Sequence, residues 1–309
     1  MLFAAKDFIE TAEGLLFAVV DPRLEDGKVL CFLRYVKDGV RWKKQDTADA
    51  NALLNRYYPD YLHTSMTLDA NLHAVEISRI VRHHQPRQRL QELMHQPQRD
   101  PLEQDLVDLC RLFRQHGLDL TQTGVTGSLL VGAQQEGSDI DLVCYGRDVF
   151  HRCRAIVRDL IGSGRLQDLR DSDWLESYRR RDCSLSYEDY VWHERRKFNK
   201  ALINGRKFDL NLIEASVDAH PAMYRKCGAV TLQCRILDDS HGFDYPAVYK
   251  IEHETIAAIV CFTATYTGQA VNGETVEVSG ILEQSEQGSH IVVGSTREAH
   301  GEYIKVIDA

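Results

Sequence analysis

The chain has 309 residues, 43% hydrophobic and 27% charged, enough to bury a core and, at about 100–200 residues per domain, to form two or three domains. That composition excludes intrinsic disorder and a collagen-like repeat. The 37 Lys and Arg against 46 Asp and Glu give a formal net charge of −9, which disfavours a nucleic-acid coat over the whole molecule but leaves local basic patches open.

From the start, MLFAAKDFIETAEG places Lys6, Asp7, Glu10 and Glu13 where a secretory leader needs an unbroken apolar stretch. No apolar run approaches the roughly 18 residues of a membrane span, so a cytoplasmic protein with no membrane partner is expected. Residues 14–20 (GLLFAVV) and 29–36 (VLCFLRYV) are apolar and β-prone, Asp38-Gly39 offers a turn, and a helix is expected over 47–56. In 73–94, Pro86 breaks regularity and starts the helix RQRLQELM. His83 and His84, among Arg79, Arg82, Arg87 and Arg89, read as a solvated basic surface. This first part, 1–96, reads as an α+β module that ends in a polar linker from Pro97 to Pro101.

Leu102, Leu106, Leu109 and Phe113 recur at helical spacing before Gly117, predicting an amphipathic helix with a glycine stop. GVTGS, SDIDLVCYG and RKFDLNLIEA then read as short buried strands, separated by helical segments at 147–161 and about 171–196. Arg179-Arg180-Arg181 reads as a solvated helix face. Residues 151–207 carry 14 basic and 9 acidic side chains, a local excess that favours a polyanionic partner. Beyond 220, VTLQCRIL, TYTGQAV, ETVEVSGILEQ, SHIVVGS and EYIKVI are short β-type runs punctuated by turn residues, which predicts an all-β module over 221–309. That module holds 6 basic and 12 acidic residues, against an electrostatic groove for nucleic acid. The eight cysteines never fall at C-x-x-C spacing and read as reduced core thiols.

The chemistry concentrates between the linker and residue 220. Gly127-Ser128 is followed, after ten residues, by Asp139-Ile140-Asp141-Leu142. On a strand, Asp139 and Asp141 share one face roughly 7 Å apart, backed by Ile140 and Leu142, and two such carboxylates repel unless a cation joins them. Hard oxygen ligands favour magnesium or manganese, which combine carboxylates with substrate phosphates. A glycine beside a serine lets a backbone approach such a phosphate. A third carboxylate, Asp209, lies in Lys207-Phe208-Asp209-Leu210-Asn211-Leu212, after the hairpin signal Asn204-Gly205. Three acids allow two metal ions.

Together, Gly127-Ser128, Asp139-Ile140-Asp141 and the later Phe208-Asp209-Leu210 resemble the pattern of the DNA polymerase beta type nucleotidyltransferases, over about residues 100–220. The resemblance implies an α+β, polymerase-beta-like nucleotidyltransferase domain over 97–220. It also implies a Mg2+- or Mn2+-dependent transfer of a nucleoside monophosphate from a nucleoside triphosphate such as ATP to an acceptor hydroxyl, with release of pyrophosphate. By the same resemblance Asp139 and Asp141 hold both metals and Asp209 the catalytic one. Gly127 and Ser128 bind the triphosphate, with Ser138, Lys197 and Lys200 as further nucleotide ligands. The spacer from Asp141 to Asp209 is long, and Glu214 stands as a substitute for Asp209. Three readings of the acceptor stay open: an RNA hydroxyl, a protein or small-molecule hydroxyl, or no transfer at all in a nucleotide-sensing interaction protein.

Overall fold

In the computed structural model, which describes residues 2–65, 70–214, 225–286, 288–296 and 299–308, the chain is a mixed α+β protein. Strands β1 (Phe8–Thr11), β2 (Leu15–Glu25), β3 (Lys28–Asp38) and β4 (Arg41–Lys44) lead into helix α1 (Thr47–Tyr57). Next come β5 (Leu62–Ser65), β6 (Ala70–Glu76), β7 (Ile80–His84), α2 (Pro86–His95) and α3 (Pro101–Gln115). The segment with the acids holds β8 (Thr123–Thr126), α4 (Gly127–Val131), β9 (Ile140–Tyr145), α5 (Arg147–Gly162), α6 (Asp171–Arg181), α7 (Tyr187–Arg195), β10 (Lys200–Ile203) and β11 (Arg206–Ile213). The C-terminal part is β12 (Arg225–His241), β13 (Ala247–Glu252), β14 (Ile256–Cys261), β15 (Thr275–Ser285), β16 (Gly288–Val293) and β17 (Tyr303–Asp308).

These elements form two units, Met1–Ile156 with Leu202–Val217, and Val157–Ala201 with Asp218–Ala309. In the first, an antiparallel sheet of order β5-β6-β3-β2-β1-β7, with β4 beside β3, buries both faces. Leu15, Phe17 and Val19 pack with Val29, Cys31 and Leu33 against Ala50 and Leu54 of α1. Leu16, Phe8 and Tyr35 pack on the other face against Leu130 of α4. This two-sided burial explains why GLLFAVV is a continuous apolar run rather than an alternating one. It also puts the N-terminal sheet and α4 in one unit, where composition divides the chain at 96/97. The other division, at 220/221, lies outside the described residues.

The expected linker is bonded down. Arg99 donates to the carbonyls of Leu93 and Met94, and Asp100 and Glu103 each accept from the other's backbone N–H, a capping box that starts α3 at Pro101. The solvated reading of His83 and His84 is also corrected. Their side chains are only 7% and 9% exposed and pair with Asp7 and Glu10 across the β1–β7 ladder. A surface of alternating Arg and His conceals such pairing because the carboxylates arrive from a distant strand.

The second sheet of this unit has the order β10-β11-β9-β8. Asn204 and Gly205, both with positive φ, make the two-residue turn between β10 and β11 that their sequence predicts. β9 is parallel to β11 and antiparallel to β8.

In the second unit, the helical stretch expected as 171–196 is two helices, interrupted where Asp182 adopts a left-handed conformation and Ser186 caps α7. Its strands run β12-β13-β14-β16-β15, and β15 returns to β12, closing a five-strand ring with β17 added on β15. One expected strand is absent: Thr265–Val271 lies in turns between β14 and β15. There, Tyr266 and Ala270 are buried, so apolar residues that imitate a strand instead plug the core from a loop. Free cysteines include Cys31, Cys110, Cys144, Cys153, Cys234 and Cys261, all buried, with Cys183 half-buried and Cys227 exposed. No helix among the described residues is long and apolar enough to cross a membrane.

Candidate functional site

The parallel pairing of β9 with β11 sets the geometry of the acids. Its register aligns Ile140 with Phe208 and Asp141 with Asp209. Two carboxylates therefore sit side by side on strands about 4.8 Å apart, held there because the alternate positions Ile140, Leu142, Phe208 and Leu210 are buried. A one-residue slip of either strand would put the acids in the core. On the other side, the β8 ladder aligns Thr126 with Asp141, and Gly127 follows at the start of α4 with φ +66°. A Cβ on Gly127 would fall 2.4 Å from Asp141 Oδ2. Only glycine admits the carboxylate this close, in a conformation that also favours glycine.

The electrostatics show how crowded this point is. Burial, then the charges of Asp209 and Asp139, push the Asp141 pKa up to about 6, while Lys6 and Lys44 pull it down. Asp209 Oδ1 is buried with no hydrogen-bond partner, a rare condition that calls for a ligand or ion. Asp139, just before β9, lies 3.4 Å from Lys207 Nζ. Among the described residues no three His, Cys, Asp or Glu side chains are gathered as a ready cation cage. A pair of opposed carboxylates with an orphaned oxygen nevertheless suits a hard cation, since magnesium commonly takes one or two carboxylates and completes its shell with water and phosphate.

Of the expected nucleotide ligands, Gly127 and Ser128 open α4 beside these acids. Ser138 stabilises the loop before Asp139: its Oγ accepts from the Gln135 N–H and its carbonyl from Arg206, which also pairs with Asp105. Lys197 and Lys200 are in the second unit, where both ammonium groups bind Glu194 and Lys197 also donates to the Thr265 carbonyl. Lys197 is 2% exposed, so its charge serves that interior cluster. Glu214, the substitute acid, instead accepts from the Arg147 backbone N–H at the start of α5.

The residue that sequence reasoning misses is Lys6. Its carbonyl accepts from Thr126 Oγ1, 120 residues away in sequence, which brings the β1 approach to the end of β8, just before Gly127. Lys6 adopts φ +73°, unusual for a residue with a side chain and typical of backbone held by its surroundings. Desolvation of its ammonium by the surrounding protein, above all, lowers its pKa, while the charges of Asp141 and Asp209 act in the opposite sense. Lys6 and Asp141 both keep access to solvent. No periodicity marks Ala-Ala-Lys-Asp, so its sequence carries no signal.

The chain is 33% identical to an uncharacterized protein of Methanocaldococcus jannaschii, MJ1086, in an alignment covering 97% of this chain and 98% of that protein. The chain therefore belongs to one family with that protein. No family model and no solved structure matches the chain.

Proposed function

We propose that the protein is a metal-dependent nucleotidyltransferase of the DNA polymerase beta type, moving a nucleoside monophosphate from a nucleoside triphosphate to an acceptor hydroxyl. The observation that carries this reading is the in-register pair Asp141 and Asp209, with the orphaned Asp209 Oδ1 and with Gly127 pressed against Asp141. Opposed carboxylates cost stability in an empty fold, and a phosphate-bearing substrate that brings divalent cations relieves that cost.

Asp141 and Asp209 would hold a magnesium or manganese ion, with Asp139 joining them once released from Lys207. A bound ion would stabilise charge on the phosphates and lower the pKa of the acceptor hydroxyl. The protein supplies the rest. Gly127 keeps the backbone open beside Asp141, and Ser128 offers a hydroxyl to a phosphate oxygen. Lys6, with Arg34 and Lys44 in the same electrostatic neighbourhood, offsets the negative charge of a triphosphate. RNA is the acceptor class proposed, from the sequence alone, which carries 14 basic and 9 acidic residues over 151–207.

The test incubates each of the four α-labelled ribonucleoside triphosphates with Mg2+ and the protein, with total RNA and with cell lysate separately, beside Asp139→Asn. Label in RNA that disappears in the variant is expected. Label in protein or a small molecule moves the acceptor class, and nucleotide binding with no transfer replaces the enzyme by a nucleotide sensor.

A further inference from the structure

A second site lies wholly within the second unit. Helices α6 and α7 and the segment after α7 line an open cavity of about 760 Å³, within the size range of small-molecule sites. Trp192, on α7, lines it while 47% exposed, an unusual position for a large aromatic on an otherwise polar helix face. The Arg196 guanidinium lies 4.4 Å from its ring centroid and is itself tied to Glu274, so the indole is braced rather than loose. Trp174, on α6, forms part of the same wall, is 1% exposed, and its Nε1–H has no acceptor. Phe198, also in the wall, adopts φ +51°, strain that persists only where surroundings enforce it and that gathers at ligand sites.

The lining chemistry narrows the ligand. Four carboxylates face three basic side chains around the cavity, which disfavours a phosphate seated inside it. The fixed ion pairs of Arg195 with Asp168 and Asp171 leave a polar rim that a hydrocarbon chain would not satisfy. A planar, uncharged ring with both donors and acceptors on its edge fits: its face stacks on Trp192 and its edge meets the carboxylates and guanidinium. We propose that this cavity is a nucleobase-binding site, taking the ring of a nucleoside or of an unpaired nucleotide in a strand. This rests on the nucleotidyltransferase reading for its class of ligand.

Equilibrium dialysis of the full chain, without divalent cations, against each labelled ribonucleoside and a single-stranded ribotetranucleotide tests it. At least one nucleoside is expected to bind. Trp192→Ala should weaken binding about tenfold or more, the scale of lost base stacking, while Trp192→Phe retains most of it. Tighter binding of the tetranucleotide assigns the ring to a strand, and equal binding assigns it to a free nucleotide. No nucleoside bound at millimolar concentration, or binding indifferent to Trp192→Ala, overturns the proposal. Trp192-dependent binding in a protein that transfers no label removes the nucleotidyltransferase reading and leaves this site standing.

Discussion

Asp141 is the residue at which function and stability pull apart. Its carboxylate is desolvated, faces Asp209 and Asp139, and has its pKa pushed up to about 6. Asp141→Asn in the absence of divalent cations should therefore stabilise the fold, by about 1–3 kcal/mol for a shift of this size, read as a higher melting temperature. Mg2+ should raise the melting temperature of the native protein, by linkage to binding, and leave that of the variant unchanged. Lys6 makes the complementary prediction. If its charge serves the triphosphate, Lys6→Met should lower kcat/KM by about 10- to 100-fold, the scale of one lost charged contact. The acids were legible in sequence because each is flanked by apolar residues that fix its face of a strand. Lys6 was not, since a side chain delivered by the approach to β1 has only its tertiary position to identify it.

Among the elements, β8 and α2 approach so closely that Gly124 has no room for a side chain: a Cβ there would lie 2.7 Å from the Pro86 backbone. Gly124→Ala should push α2 away and destabilise the protein by about 1–3 kcal/mol, the usual cost of overpacking, measurable by urea denaturation. Helices with strong local punctuation were legible. Pro86 and Pro101 each start one, and the Asp100–Glu103 box reinforces the second. The turns at Thr265–Val271 were not, because Tyr266 and Ala270 are as buried as strand residues and burial, rather than conformation, dominates an apolar pattern. Nor was the parallel pairing of β9 and β11: the long insertion that carries α5, α6 and α7 intervenes, and register between distant strands is set by packing.

For the whole molecule, each unit contains a histidine locked neutral by the backbone. In the first, His73 Nδ1 accepts from the Leu33 N–H and Nε2 faces Asn51 Oδ1. In the second, His193 Nε2 accepts from the Val306 N–H while Nδ1 faces the Asp189 carbonyl. Burial lowers both pKa values from 6.5 to about 4. The unfolded chain therefore takes up protons first on acidification. Their contribution is complete above about pH 6.5 and declines as pH falls to about 4, by up to about 3 kcal/mol each. Melting temperature should fall across that window, and His73→Gln with His193→Gln should flatten the decline. The α+β character and the all-β C-terminal part were readable from the local patterns. The division into units was not, because Leu16, Tyr35 and Leu130 meet across some hundred residues of sequence.

The central claim is that Asp141 and Asp209 form a cation-dependent phosphoryl-transfer site. The most direct measurement is pyrophosphate release from each nucleoside triphosphate by the full chain with Mg2+ and total RNA, compared with Asp209→Asn. The account predicts release by the native protein that falls at least about 1,000-fold in the variant, as expected when a group that stabilises transition-state charge is removed. Equal release by both proteins would contradict it, and so would no release from any nucleotide by a native protein that binds the nucleotide.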